Sequence, residues 1–190
     1  MLTAEFWQIT AASIGRILLG AVMGMVVGVV LAVLTSASSL LDALTAPVMT
    51  AIQATPVASF AIRVLICAMM VLPVVWSNVC AGIRATDPQL LEVAKVYRLP
   101  RMRVLRRIYI PSVLPYFRAA CSSALGLGWK AGIAAEVLTV PKASIGRMIS
   151  ESNLYLLTEE LFAWTLAVVI LSLLLQKLML YFLAGRDSHA

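Results

Sequence analysis

Two sets of residues in this chain have types and spacing that could do chemistry. The first lies in LEVAKVYRLPRMRVLRRIYIPSVLP, residues 91–115, where Lys95, Arg98, Arg101, Arg103, Arg106 and Arg107 crowd together. The second is Lys130 and Glu136, two ionisable side chains within an apolar stretch from about Tyr116 to Val137. A compact basic segment attracts acidic protein surfaces or anionic headgroups. An ionisable group surrounded by hydrocarbon is costly unless it is paired or lines a polar path. Their spacing of six places Lys130 and Glu136 about 120° apart on a helix, so they do not form an i, i+4 pair with each other. Each needs another partner, and a second copy of the chain across a dimer axis would supply one. Snorkelling of both to the outer interface accounts for them equally well. Lys130 lies six residues, about 9 Å of helix rise, inside Glu136 and is expected to be the more buried.

No residues are arranged for hydrolysis or phosphoryl transfer. The one histidine, His189, is second from the end, and there is no GxxxxGK[ST] loop, Ser/His/Asp set, Cys/His set or paired carboxylate. No catalytic residue, metal or cofactor is expected. Cys67, Cys80 and Cys121 are odd in number and sit in apolar segments, where they read as small buried hydrophobes. Trp129, Met23, Met25, Met69 and Met70 read as packing.

The elements that position these groups are those of a membrane protein. The 190 residues are 62% hydrophobic and 13% charged, with a mean hydropathy of +0.96. The apolar runs 17–34, 64–82 and 161–184 each approach or exceed the roughly 20 residues that cross about 30 Å of hydrocarbon. Five spans are expected in a single transmembrane domain over residues 1–190. They run from about Ile9 to Leu34, from the SASS break at 36–39 to about Phe60, from Val64 to Ile83, from Tyr116 to Val137 and from Leu161 to Phe182. Gly20, Gly24 and Gly28, spaced by four, predict close helix packing in the first. Pro47 and Pro56 predict an irregular second, and the turn near Arg63 has to be tight. Asp42 reads as a helix-start carboxylate. The N-terminal MLTAEFWQIT lacks a basic n-region, so the first apolar segment is expected to be retained.

The net charge of +6 is uneven, with seven of the 15 Lys and Arg falling between Arg84 and Arg107. That places the 84–107 loop in the cytoplasm by the positive-inside rule, and Lys177 and Arg186 on the same side. No interleaving of exposed aromatics with the basic residues, as a nucleic-acid surface requires, is expected.

The loop from about 85 to 110 is a helical hairpin. Leu90, Val93, Ala94 and Tyr97 share one face of its first half, against Glu92, Lys95 and Arg98. Met102, Leu105, Ile108 and Tyr109 share a face of the second, against Arg103, Arg106 and Arg107. Asp87-Pro88 supplies an N-cap and a first-turn proline, and Pro100 opens the second helix. Two short amphipathic helices with start signals suit docking into a groove on a cytoplasmic partner. They suit lying on anionic headgroups as well.

Residues 92–111 resemble the EAA motif of the membrane subunits of bacterial ABC importers. Glu92, Val93 and Ala94 stand for Glu-Ala-Ala, Arg98 for its glycine, and Ile108, Ile110 and Pro111 for its Ile-x-Leu-Pro end. SIGRILLGAVMGMVVGVVLAVL, ATPVASF, LPVVWSNVCAGIRATDPQLLEVAK, IPSVLPYF and GWKAGIAAEV followed by SIGRMI resemble the nitrate/sulfonate/taurine-type branch of those permeases.

The resemblance implies an all-α integral membrane fold of the type I ABC importer class, in the bacterial inner membrane. It implies a hairpin of coupling helices in which Glu92, Ala94, Arg98, Ile108 and Pro111 meet a separate ABC ATP-binding subunit. It also implies a periplasmic or lipid-anchored substrate-binding protein and a second permease copy. Lys130 and Glu136 then become candidates for the translocation path, and nitrate, sulfonates, taurine and thiamine-precursor-like molecules are candidate substrates. Relatives have a longer stretch between the ATPVASF-like and LPVVW-like segments, and arginine at 98 costs about 1 kcal/mol if φ there is positive. A reading from another class, a scaffold gripping lipid or an unrelated protein through the basic hairpin, uses the same residues.

Overall fold

The computed structural model describes residues 4–54 and 63–184, and the regular structure among them is helical. Helix α1, Ala4–Ser36, is followed by α2, Ser39–Ala54, and α3, Arg63–Arg84. The hairpin follows as α4, Pro88–Val96, and α5, Arg101–Val104. Then come α6, Ile110–Thr139, α7, Ile145–Leu154, and α8, Thr158–Ala184.

Three helices among the described residues have both the length and the hydropathy of a membrane span, within Ala4–Ser36, Val64–Arg84 and Thr158–Met179. The other two expected spans differ, each for its own reason. Helix α6 has 30 residues, ample length, but carries Arg118, Lys130 and Glu136. The described part of α2 has 16 residues, about 24 Å, and ends at Ala54, the last described residue before 63. Pro56, the rest of the ATPVASF segment and the expected turn before Arg63 lie outside the described residues, as do Arg186 and His189.

Helix α3 is the centre of the bundle, with Cys67, Val71 and Val75 fully buried. The glycine stripe of α1 packs on it as its spacing predicts. A Cβ on Gly24 would lie 2.5 Å from Ala68 O, and one on Gly20 2.7 Å from Val64 O. In lipid, where apolar burial drives little association, this backbone approach and its dispersion contacts hold the helices together. Gly128 of α6 meets two of those buried α3 residues, Val71 and Cys67. All three cysteines are free and buried, with Cys67 Sγ 3.3 Å from Ile17 O. Trp129 is buried, as a packing residue. Helix α8 keeps Phe162, Leu166, Leu173 and Leu178 exposed, a surface suited to lipid.

Asp42 lies in the first turn of α2, as expected, and forms an ion pair with Arg84 at the end of α3. Both charges suit their helix termini.

Candidate functional site

The hairpin starts as its sequence signals direct. Asp87 Oδ1 accepts from Gln89 N at 2.8 Å, and Pro88 takes the first helical position, where its missing N–H costs nothing. The end of α4 is a Schellman closure: Leu99 N donates to Ala94 O at 2.9 Å and Arg98 N to Lys95 O at 3.0 Å. That closure requires a left-handed residue, and Arg98 occupies it with φ 50°. The arginine therefore carries the expected penalty of about 1 kcal/mol relative to glycine. Arg98→Gly is predicted to raise stability by about that amount, read as a higher midpoint in thermal unfolding of the purified protein. An unchanged or lower midpoint would mean that the guanidinium makes a contact worth as much as the strain.

Of the expected apolar face of α4, Ala94 alone is buried. Leu90, Val93 and Tyr97 are open, as are Val96 and Met102, so the hairpin presents an apolar surface that the described residues do not cover. Glu92 and Pro111 are exposed and Ile108 is half-buried.

The second half of the hairpin is not a separate short helix, as its pattern suggested. A π-helical turn, Leu105–Tyr109, joins α5 to α6, with Ile110 N donating to Leu105 O. Pro111 lacks the N–H that would bond Arg107 O, and its ring crowds that carbonyl, so a wider turn just before it relieves both problems. The outcome is one continuous helical rod from Arg101 to Thr139.

At the far end of that rod is a buried polar knot. Glu136, 1% exposed, accepts through Oε2 from Ser13 Oγ at 2.8 Å and from Gly146 N at 3.3 Å. Its Oε1 accepts from Arg16 Nη2 at 2.9 Å and Nε at 3.1 Å. Arg16 also donates to Ala143 O at 2.6 Å, and Ser13 Oγ accepts from Ile145 N at 3.0 Å. The carboxylate thus has four donors, and the first amides of α7 point at it or at its partners. Helix α7 can sit there because residue 146 is glycine: a Cβ would lie 2.4 Å from Glu136 Cβ. The knot ties α1, α6 and α7 together.

Two sequence expectations change here. Glu136 finds its partner in the same chain, with no dimer axis needed. It is also the buried member of the pair, while Lys130 is exposed, because depth along a helix and the direction a residue faces are independent. Arg16 and Ser13 were not anticipated. The signal was available, since Arg16 is the one charged residue between Glu5 and Asp42.

Lys130 opens into a groove of about 580 Å³ whose other walls are Gln53 of α2, Met70 and Val74 of α3, and Leu127, Ala131 and Ala134 of α6. Among the described residues no carboxylate pairs with it. The structure therefore separates the two candidates, with Glu136 in a closed knot and Lys130 a cation facing an open, mostly apolar groove.

Residues 24–185 match the family of binding-protein-dependent transport system inner membrane components. The chain belongs to this family. Among its relatives in that family are the bicarbonate transport system permease protein CmpB of Synechocystis, 31% identical over 76% of this chain and 55% of the relative. The nitrate import permease protein NrtB of Leptolyngbya laminosa is 29% identical over 70% of this chain and 52% of the relative. The chain thus spans about half the length of these two. The taurine permease TauC of Escherichia coli is 23% identical over 91% of this chain and 67% of the relative. A solved chain of an amino acid ABC transporter with histidines superposes with a TM-score of 0.63 at 14% identity, covering 95% of this chain and 91% of the other. That likeness places the fold of this inner membrane component among ABC transporter membrane domains.

Proposed function

We propose that the chain is the membrane-spanning permease subunit of an ATP-driven importer for a small anion. The observation that carries this reading is the hairpin, whose open apolar surface on α4 lies one tight turn from the rod that borders the Lys130 groove. A partner seated on α4 and moving with nucleotide would pull on α6 through one tight turn, residues 97–100, closed by the Leu99–Ala94 and Arg98–Lys95 hydrogen bonds.

In this reading Glu92, Ala94, Arg98, Ile108 and Pro111 meet a separate ABC ATP-binding subunit. Ala94 and Arg98 act through the shape of the α4 turn and Glu92 through its exposed charge. A substrate-binding protein, periplasmic or lipid-anchored, delivers the solute, and a second permease copy completes the path. Lys130 supplies a positive site along it, with Glu136 holding the rod in place. Bicarbonate, nitrate and taurine, the solutes in the names of the relatives, are small and carry a negatively charged group, which a lysine in an apolar groove favours.

Co-expression with the ATP-binding subunit tests the hairpin assignment. Glu92→Lys is predicted to lower co-purification of that subunit at least about fivefold while leaving membrane insertion intact, since a reversed charge at a docking surface costs on the order of 1–2 kcal/mol. Undiminished complex yield would remove the coupling role.

A further inference from the structure

A second groove lies at the hairpin end of the bundle, on a different face from Lys130. Its volume is about 460 Å³, and its walls are apolar: Val29 and Val33 of α1, Val79 and Ile83 of α3, and Val113 and Phe117 of α6. It follows the rod from Leu105 to Phe117, about 18 Å of helix rise, close to the hydrocarbon thickness of one leaflet. Leu105, Ile110, Leu114 and Val33 are left partly open along it.

The mouth of the groove is basic. Arg101 lies four residues before Leu105, one turn beyond the hairpin end of the groove, and Arg106 follows Leu105 in the π-helical turn, among the first of the groove's residues in the rod. Both are exposed, and no carboxylate among the described residues pairs with either. Between residues 84 and 107 there are seven basic residues and two acidic ones, Asp87 and Glu92, a net charge of +5 (7 − 2).

We propose that this groove is a binding site for one anionic phospholipid, its acyl chain lying between α1, α3 and α6 and its phosphate headgroup meeting Arg101 and Arg106. Length, polarity and charge each point to that occupant. An extended protein segment would leave its backbone amides against walls that offer only the hydroxyls of Ser36 and Tyr109, a cost in hydrocarbon that an acyl chain does not incur, and a docked helix would leave the basic end without a counter-charge. A neutral lipid would leave the two guanidinium groups without a counter-charge.

Native mass spectrometry of the purified full chain, titrated in detergent with phosphatidylglycerol or phosphatidylcholine of matched acyl chains, tests the site. Phosphatidylglycerol is expected to bind as one tight adduct, roughly thirtyfold more strongly than phosphatidylcholine, as two arginines at a membrane surface supply. R101Q/R106Q should bring the two lipids level. Ile110→Trp, at the exposed rim, and Val113→Trp, deeper in, should each displace the adduct while the arginines remain. Equal binding of the two lipids by the parent overturns the headgroup assignment. An adduct that survives both tryptophan variants overturns the groove, leaving only a charged hairpin surface. Loss of a dimer mass in those variants, with lipid binding unaltered, would assign the groove to a second copy of the chain and overturn the proposal.

Discussion

Replacing Glu136 by methionine is expected to cost about 3 kcal/mol of stability, measured by SDS titration of the helical signal of the purified protein. The side chain is of similar length and apolar, so the loss does not come from a cavity. It comes from Arg16, Ser13 Oγ and the Gly146 amide, which lose their shared acceptor where little water can replace it. Removing one partner of a buried pair costs about 3–5 kcal/mol in soluble proteins. The lower end applies here, because Arg16 is 30% exposed and keeps its bond to Ala143 O. Arg16→Met should cost less, since Glu136 retains two donors. The double variant should be more stable than the sum of the single losses predicts, by about 1–2 kcal/mol, because no unpaired charge remains. Additive losses would show that the pair is not energetically coupled.

The second large effect is expected in transport. Lys130→Met should reduce uptake into reconstituted vesicles by at least about tenfold, the scale of one lost charge-assisted contact to a bound anion. Helical content and nucleotide hydrolysis by the assembled complex should stay near those of the parent, because the Lys130 side chain is exposed and supports no packing. Lys130→Arg should retain more uptake, since it keeps the charge in the groove with a different shape. Parental uptake by the methionine variant would make Lys130 a groove-lining residue without a role in the path. A proportional loss of uptake and folded yield would make it structural. Because Lys130 and Glu136 lie in separate environments, the two experiments report on separate properties of one helix.

Much of this architecture was legible beforehand, and the legible parts share a cause. The glycines at 20, 24 and 28 announced a backbone-to-backbone contact because a side-chain-free stripe repeated every four residues has few other uses in lipid. Asp87 and Pro88 announced the start of α4, and the arginine at the motif's glycine position announced a strained turn that the φ of Arg98 bears out. Less legible was the union of the second hairpin helix with α6. Pro111 and Pro115 stand against a continuous helix, and a π-helical turn, a rare conformation, absorbs the first of them without ending it.

The sequence by itself determined that this is a helical membrane protein of a transport family, with a basic amphipathic hairpin between its spans. Those properties follow from transfer energies, periodicity and local capping, which act over a few neighbouring residues. Tertiary structure alone decided that Glu136 closes on Arg16, 120 residues away, that Lys130 opens into a groove, and that three helices leave an apolar groove at the hairpin end. A span's hydropathy is the same whichever way its polar residues face. Their direction is set when helices with matching ridges and gaps pack together, and that choice depends on shapes brought together from distant parts of the chain.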